Sequence, residues 1–351
     1  MIDTVGTDYD TGTAAALIEA LRDPVAIIGG DARIAAANAA MRALIPGLRV
    51  SDMLALSLRS PDVLDAVTRV LTGGGSETTI WRERGHVERV FEVTVGALEV
   101  GGEPASRRAV LTLRDLTEAR RLERMRTDFI ANASHELRTP LASVLGFIET
   151  LQGAAKDDPI ARGKFLTIMR DQARRMSRLI EDLLSLSRIE QNEHLRPVEP
   201  VDLVGIVGHV VDTLTPMARD GNVSLDVRAP GELIIKGERD ELVRVAENLI
   251  ENAIKYGARE DGQPSSVEIG LIAEDREAAF IVRDHGPGIP VEYLPRLTER
   301  FYRVDAGASR AKGGTGLGLA IVKHIVARHR GRLSIESKAG EGATFRVTIP
   351  I

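Results

Sequence analysis

His135 and Glu136, within Ser134-His-Glu-Leu-Arg-Thr-Pro140, put an imidazole nucleophile beside a carboxylate able to accept or orient its proton. Thr139 follows one helical turn after His135. A second group of residues lies more than a hundred positions downstream. Asn248 and Asn252 stand four apart in Asn248-Leu-Ile-Glu-Asn-Ala-Ile-Lys-Tyr256, so they share a helix face, and Lys255 lies near them. Asp284-His-Gly-Pro-Gly288 ends an apolar run in a turn that lets backbone approach a ligand. Arg300-Phe-Tyr-Arg303 precedes a loop of small residues. Gly314-Thr-Gly-Leu-Gly318 then opens a helix, whose first amides and dipole favour phosphate. Taken singly, each feature has a plainer reading: a solvated histidine, a polar helix face, ordinary turns.

The elements that must position these residues follow from periodicity. Leu122, Met125, Phe129, Ala133, Leu137, Leu141, Val144, Ile148 and Leu151 recur at steps of three and four, the seam of a long amphipathic helix over residues 118–152. At about 100° per residue, His135 falls opposite the seam, in water. Pro140 cannot donate to the carbonyl of Glu136 and is expected to loosen or bend the helix there. A polar connection at 153–158 leads to a second helix with Phe165, Ile168, Met169, Ala173, Met176, Leu179, Ile180, Leu183, Leu186 and Ile189 on one broad face. Two such helices cannot bury both apolar faces alone, so pairing with a second copy into an antiparallel four-helix bundle is expected.

Before this hairpin, residues 14–21 read as a short helix. Strands at 25–28 and 33–37, helices from Asn38 to Val70, and strands at 77–83, 87–98 and 107–116 follow. After it, Arg196-Pro-Val-Glu-Pro200 reads as a linker. Helices at 203–219, 239–256 and 315–329 then alternate with strands at 224–227, 233–236, 267–273, 278–284, 332–337 and 343–349, one α/β sandwich.

The 351 residues suffice for two or three domains. A net charge of −5 gives no basic footprint for nucleic acid. The absence of cysteine excludes disulfides and thiolate metal sites and fits a cytoplasmic setting. No apolar run approaches a membrane span and no secretion signal is present, so no membrane anchor is expected within this chain. Inner-membrane association would run through partners or a preceding segment.

Ser134 to Pro140 resembles the H-box of sensor histidine kinases. The downstream motifs resemble, in order, the N, G1, F, G2 and G3 boxes of the Bergerat-fold ATP-binding family, the last being Gly340-Glu-Gly342. Residues 21–117, closing on Arg114-Asp-Leu-Thr-Glu118, are similar to a PAS domain, with Asp115 and Thr117 like the junction that hands conformational change to a following helix. The resemblance implies a multidomain α+β protein. An N-terminal helix or linker (1–20) precedes a PAS α/β sensor domain (21–117), a dimeric helical-hairpin phosphotransfer domain (118–192) and an ATP-binding α/β sandwich (193–351).

It also implies roles. His135 would be phosphorylated from ATP and Glu136 would handle its proton, while Glu136 and Thr139 resemble a phosphatase signature. Asn252 would hold Mg²⁺, Asn248 would belong to the nucleotide-binding set, and Lys255 and Arg303 would face the phosphates. Tyr256, Gly286 and Gly288 would form the nucleoside wall, Asp284 would accept from the adenine amine, and Gly314, Thr315, Gly316, Leu317 and Gly318 would supply the lid. The phosphoryl group would pass to an aspartate of a response regulator. The layout looks most like phosphate-regulon sensor kinases.

In related hydrolases a glutamate at the Asn248 position activates water. Asparagine there favours transfer to a protein, with Glu247 and Glu251 expected on other helical faces. An ATPase with no protein phosphoacceptor, and a non-catalytic scaffold, are the competing readings. Lys323 and His324 read as surface or packing residues, Trp81 as sheet packing or a pocket wall, and His86 as a surface residue or a haem ligand.

Overall fold

The computed structural model describes residues 16–83, 88–98, 107–258, 263–305, 307 and 314–351. These fall into two compact units, Met1–Asp128 and Phe129–Ile351.

In the first unit, β1 (Val25–Ile28) is wholly apolar because both of its faces are covered. It pairs antiparallel with β2 (Ile34–Ala37). Three short helices follow, α1 (Ala39–Leu44), α2 (Leu54–Ser57) and α3 (Pro61–Gly73), then β3 (Ser76–Glu83), β4 (Arg89–Leu98) and β5 (Arg108–Asp115). The sheet order is β2-β1-β5-β4-β3, antiparallel throughout.

Asn38 explains how the first helix starts. Its buried side-chain oxygen accepts from the Met41 and Val25 amides at 2.9 and 3.0 Å, capping α1. Its amide nitrogen donates to the carbonyls of Ile18, Leu21 and Asp23. Trp81 stacks on its cross-strand partner Phe91, centroids 5.1 Å apart, which is sheet packing. His86 lies outside the described residues. At the sheet's exit, Thr117 donates its amide to Asp115 Oδ1 at 2.8 Å and accepts from the Val90 amide at 3.0 Å.

Helix α4 (Thr117–Gln152) is continuous and carries Pro140 inside it, as its one buried residue. Helix α5 (Pro159–Gln191) begins at Asp158, whose carboxylate accepts from the Ile160 and Ala161 amides.

The supposed linker ends in a strand, β6 (Pro200–Asp202), because Val201 and its neighbours pair with β8 (Ile234–Lys236). Between them lie α6 (Leu203–Asp220) and β7 (Val223–Arg228). Then come α7 (Arg239–Gly257), β9 (Ser265–Glu274), β10 (Glu277–Asp284), a 3-10 helix at Val291–Arg296 inside the expected loop, α8 (Gly318–Arg328), β11 (Arg332–Ser337) and β12 (Ala343–Pro350). The main sheet runs β11-β12-β10-β9-β7, antiparallel except for β7 with β9. Its alternating buried residues pack beneath α6, α7 and α8.

Leu179, Leu186 and Ile189 of α5 belong to this same apolar core, beside Leu317, Ile321 and Ile325. Other apolar residues of the hairpin stay open in the single chain: Leu141, Leu145, Ile180 and Leu184 are all exposed.

Candidate active site

Below the end of β10 lies a cavity of about 570 Å³, within the range of small-ligand sites. One wall is α7, carrying Asn248, Asn252, Lys255 and Tyr256. A second is the β10 end with Asp284 and Gly288, and a third is the segment opening α8 with Gly314, Thr315, Gly316 and Gly318. Arg303 also lines it. Residues spread over seventy positions of sequence thus converge because α7 and α8 pack side by side over the sheet.

Local contacts show why the glycines stand where they do. A Cβ on Gly318 would lie 2.2 Å from Asn248 Oδ1, so the first turn of α8 rests on that asparagine. The Asn248 side chain is oriented by donating to the Arg244 carbonyl at 2.8 Å. Gly316 has φ +75° and its carbonyl accepts from the Phe301 amide at 2.8 Å. A Cβ there would meet Phe301 backbone at 2.9 Å, and Phe301 itself has φ +63°.

Two predicted residues stand behind the cavity wall. Gly286 lies against the Tyr256 carbonyl and donates its amide to Asp284 Oδ1 at 2.9 Å. Leu317 is fully buried in the core beneath the Gly314 to Gly318 segment. Both shape the site through packing, not through contact with its contents.

Burial raises the Asp284 carboxyl above its ordinary value, and the Gly286 and Ala343 amides partly oppose this. Lys255 makes a 2.7 Å ion pair with Glu251. Glu247 and Glu251 both line the same cavity as Asn248, which corrects their expected separation: the opening spans more of the α7 surface than one narrow stripe. Burial also raises the Glu247 carboxyl.

The helical hairpin supplies the residues that sequence reasoning missed. Arg178, Glu181 and Asp182 of α5 line the cavity. Asp182 accepts from Thr315 Oγ1 at 2.9 Å and from Arg244 Nη2 at 3.2 Å; burial raises its carboxyl, against the pull of both partners. Arg300 pairs with Glu190 and lies over the Phe129 ring at 5.1 Å. His324 is not a simple surface residue. It faces Glu190 of α5 and Glu193 just past that helix's end at 3.5 and 3.8 Å, and burial holds its pKa below the ordinary value. The only sequence signal for these contacts is the run of charge on one side of α5.

His135 is exposed, and Thr139 Oγ1 donates back to its carbonyl at 3.2 Å. Glu136 is turned inward. Its Oε2 accepts from Arg175 Nη2 and Arg303 Nη2, both at 3.1 Å, and Arg303 Nη1 stands 3.4 Å from Oε1. A cavity-lining arginine therefore touches the residue beside the exposed histidine. The arrangement suits an anionic ligand held by cationic side chains and helix-start amides. Asn252, which lines the cavity from α7, carries a side-chain oxygen of the kind a hard cation takes.

Comparison with known proteins gives three adjoining family matches. Residues 18–121 match the PAS fold, 125–192 the His Kinase A (phospho-acceptor) domain, and 237–351 the histidine kinase-, DNA gyrase B-, and HSP90-like ATPase. The phosphate regulon sensor protein PhoR of Pseudomonas aeruginosa is 39% identical over 240 residues, covering 68% of this chain and 53% of that protein. The sensor-like histidine kinase SenX3 of Mycolicibacterium smegmatis is 37% identical over 244 residues, 69% of this chain and 62% of that one. The chain thus spans about half to three-fifths of the length of these relatives. In fold, it is similar to the histidine kinase ThkA crystallised in complex with the response regulator protein TrrA. That likeness has a TM-score of 0.50 and 20% identity, and covers 95% of this chain and 97% of that one.

Proposed function

We propose, for a chain that belongs to the sensor histidine kinases by its PAS, phospho-acceptor and ATPase domains, that His135 takes the γ-phosphoryl group of ATP and passes it to an aspartate of a response regulator. The observation that carries the reading is the contact between Arg303 of the cavity and Glu136 beside His135. It joins a nucleotide-sized cavity to an exposed nucleophile.

In the proposed reaction, a His135 ring nitrogen attacks the γ-phosphorus in line. The N–P bond forms as the P–O bond to ADP breaks, and Glu136 takes or holds the ring proton. Asp284 accepts from the adenine amine, Lys255 and Arg303 meet phosphate oxygens, and the Gly314 to Gly318 segment closes over them. Asn252 would hold Mg²⁺, which when bound supplies charge neutralisation for the triphosphate. The domain limits proposed are those of the sequence reading, with the phosphotransfer hairpin ending near residue 192.

Further elements of the proposal are a homodimer through the open hairpin face, phosphatase activity toward the regulator through Glu136 and Thr139, and a phosphate-related stimulus, the last supported by similarity to PhoR. The position of Glu247 supports a second reading, ATP hydrolysis without a protein acceptor, since it is a cavity carboxylate beside Asn248.

One experiment separates the two readings. The chain is incubated with γ-labelled ATP and Mg²⁺ beside His135→Ala, Asn252→Ala and Glu247→Gln. Acid-labile, base-stable label lost in the first two variants, and reduced less than tenfold in the third, supports the kinase. ATP turnover without label, abolished by Glu247→Gln, supports the hydrolase.

A further inference from the structure

Arg303 and Arg175 converge on one carboxylate from opposite elements. Arg175 reaches Glu136 across the hairpin from α5, and Arg303 reaches it from the segment that follows the 3-10 helix. Both Nη2 atoms are 3.1 Å from the same oxygen, Oε2. The Arg303 side chain is only 6% exposed, and its Nε is buried with no hydrogen-bond partner. A buried guanidinium with an idle donor is costly unless a further acceptor completes it. Arg303 also lines the cavity, so an acceptor arriving there can reach it.

In this arrangement the Glu136 carboxylate is committed to two guanidinium groups. A carboxylate so engaged is poorly placed to take a proton from the neighbouring imidazole. A phosphate oxygen carries more charge than a carboxylate oxygen and suits the same planar donor fork.

We propose that Arg303 exchanges between Glu136 and the phosphates of ATP, so that filling the cavity releases the base beside His135 while Arg175 keeps it in place. Arg303 is then a positioning residue for Glu136 in one state and a phosphate ligand in the other. The device suppresses proton transfer at His135 until a triphosphate is present. It rests on the kinase reading above for the identity of the nucleotide.

Exchange has a thermodynamic signature that simple scaffolding lacks. If Glu136 and phosphate compete for Arg303, removing the carboxylate must tighten nucleotide binding, because linkage is reciprocal. Affinity for ATP and for adenosine is measured on the whole chain by calorimetry, for the wild type, Glu136→Gln, Arg303→Gln and the double variant. Glu136→Gln is expected to tighten ATP roughly five- to tenfold and to leave adenosine unchanged. Arg303→Gln weakens ATP, and adding Glu136→Gln to it has no further effect. Should Glu136→Gln fail to fold, Glu136→Asp, whose shorter side chain draws the carboxylate back from Arg303, is expected to shift ATP in the same direction. Unchanged or weaker ATP binding in a folded Glu136 variant overturns the exchange, as does equal tightening in the Arg303→Gln background. Label on wild-type His135 without the affinity shift removes this inference alone. An affinity shift without label removes the kinase reading and leaves the exchange standing.

Discussion

Asp284 sits where a carboxylate is expensive. It is 5% exposed, and burial raises its pKa against the pull of two backbone amides. Ionised, it remains an acceptor only, the state that suits an exocyclic amine. Asp284→Asn is isosteric but can present a donor in its place. A charge-assisted hydrogen bond is worth about 1.5–3 kcal/mol, so ATP affinity is expected to fall roughly ten- to a hundredfold, with discrimination against GTP relaxed. Competition binding with the two nucleotides checks both. A second prediction concerns close packing. Gly318→Ala drives a methyl into Asn248 Oδ1, and that oxygen is backed by the bond from its own amide to Arg244. Nucleotide affinity and melting temperature should both drop. If both stay at wild-type values, the contact between α7 and α8 is looser than the geometry requires.

At the scale of elements, His329 ties one helix to the next. Its Nδ1 faces the Ile325 carbonyl at 2.8 Å at the end of α8, and its Nε2 accepts from the Glu238 amide at 3.0 Å, one of the orphan donors opening α7. That pattern requires a neutral ring, and burial holds its pKa below the ordinary 6.5. The sign follows from linkage. As pH falls below about 6.5, the unfolded chain binds this proton before the folded chain does, so stability declines until the folded pKa is passed. Thermal melts from pH 7.5 to 5 are expected to show this slope, flattened in His329→Gln. An identical slope in the variant would assign it to other groups, among which His324 between Glu190 and Glu193 is the first. Helix α5 serves two packing layers. Leu179, Leu186 and Ile189 enter the core of the C-terminal sandwich, and Ile180 and Leu184 remain exposed.

For the whole molecule, those exposed apolar residues are the physical basis of the proposed dimer. Leu141, Leu145, Ile180 and Leu184 each expose 46–54% of their surface in the single chain. Burying a leucine side chain is worth about 1.5–3 kcal/mol. A charge in the middle of such an interface is expected to dissociate it: Leu145→Glu should halve the mass measured by light scattering and weaken labelling of His135. An unchanged mass would place the interface elsewhere. Among the described residues, no helix is long and apolar enough to cross a membrane.

Sequence alone determined the elements and most of the cavity. Periodicity is a local property, and it placed α4 and α7 to within a residue or two, because an amphipathic helix writes its buried face at steps of three and four. The cavity-lining glycines that open α8 and the asparagine pair were readable for the same reason: backbone approach and helix-face geometry depend on near neighbours. The short strand β6 escaped because three residues carry no pattern, and its pairing with β8 spans more than thirty positions. The charged contacts were invisible in principle. Arg303 and Glu136 stand 167 positions apart, and Asp182 and Thr315 stand 133 apart. A charge on a helix face looks the same whether it meets water or a partner, so only the tertiary structure could choose between them.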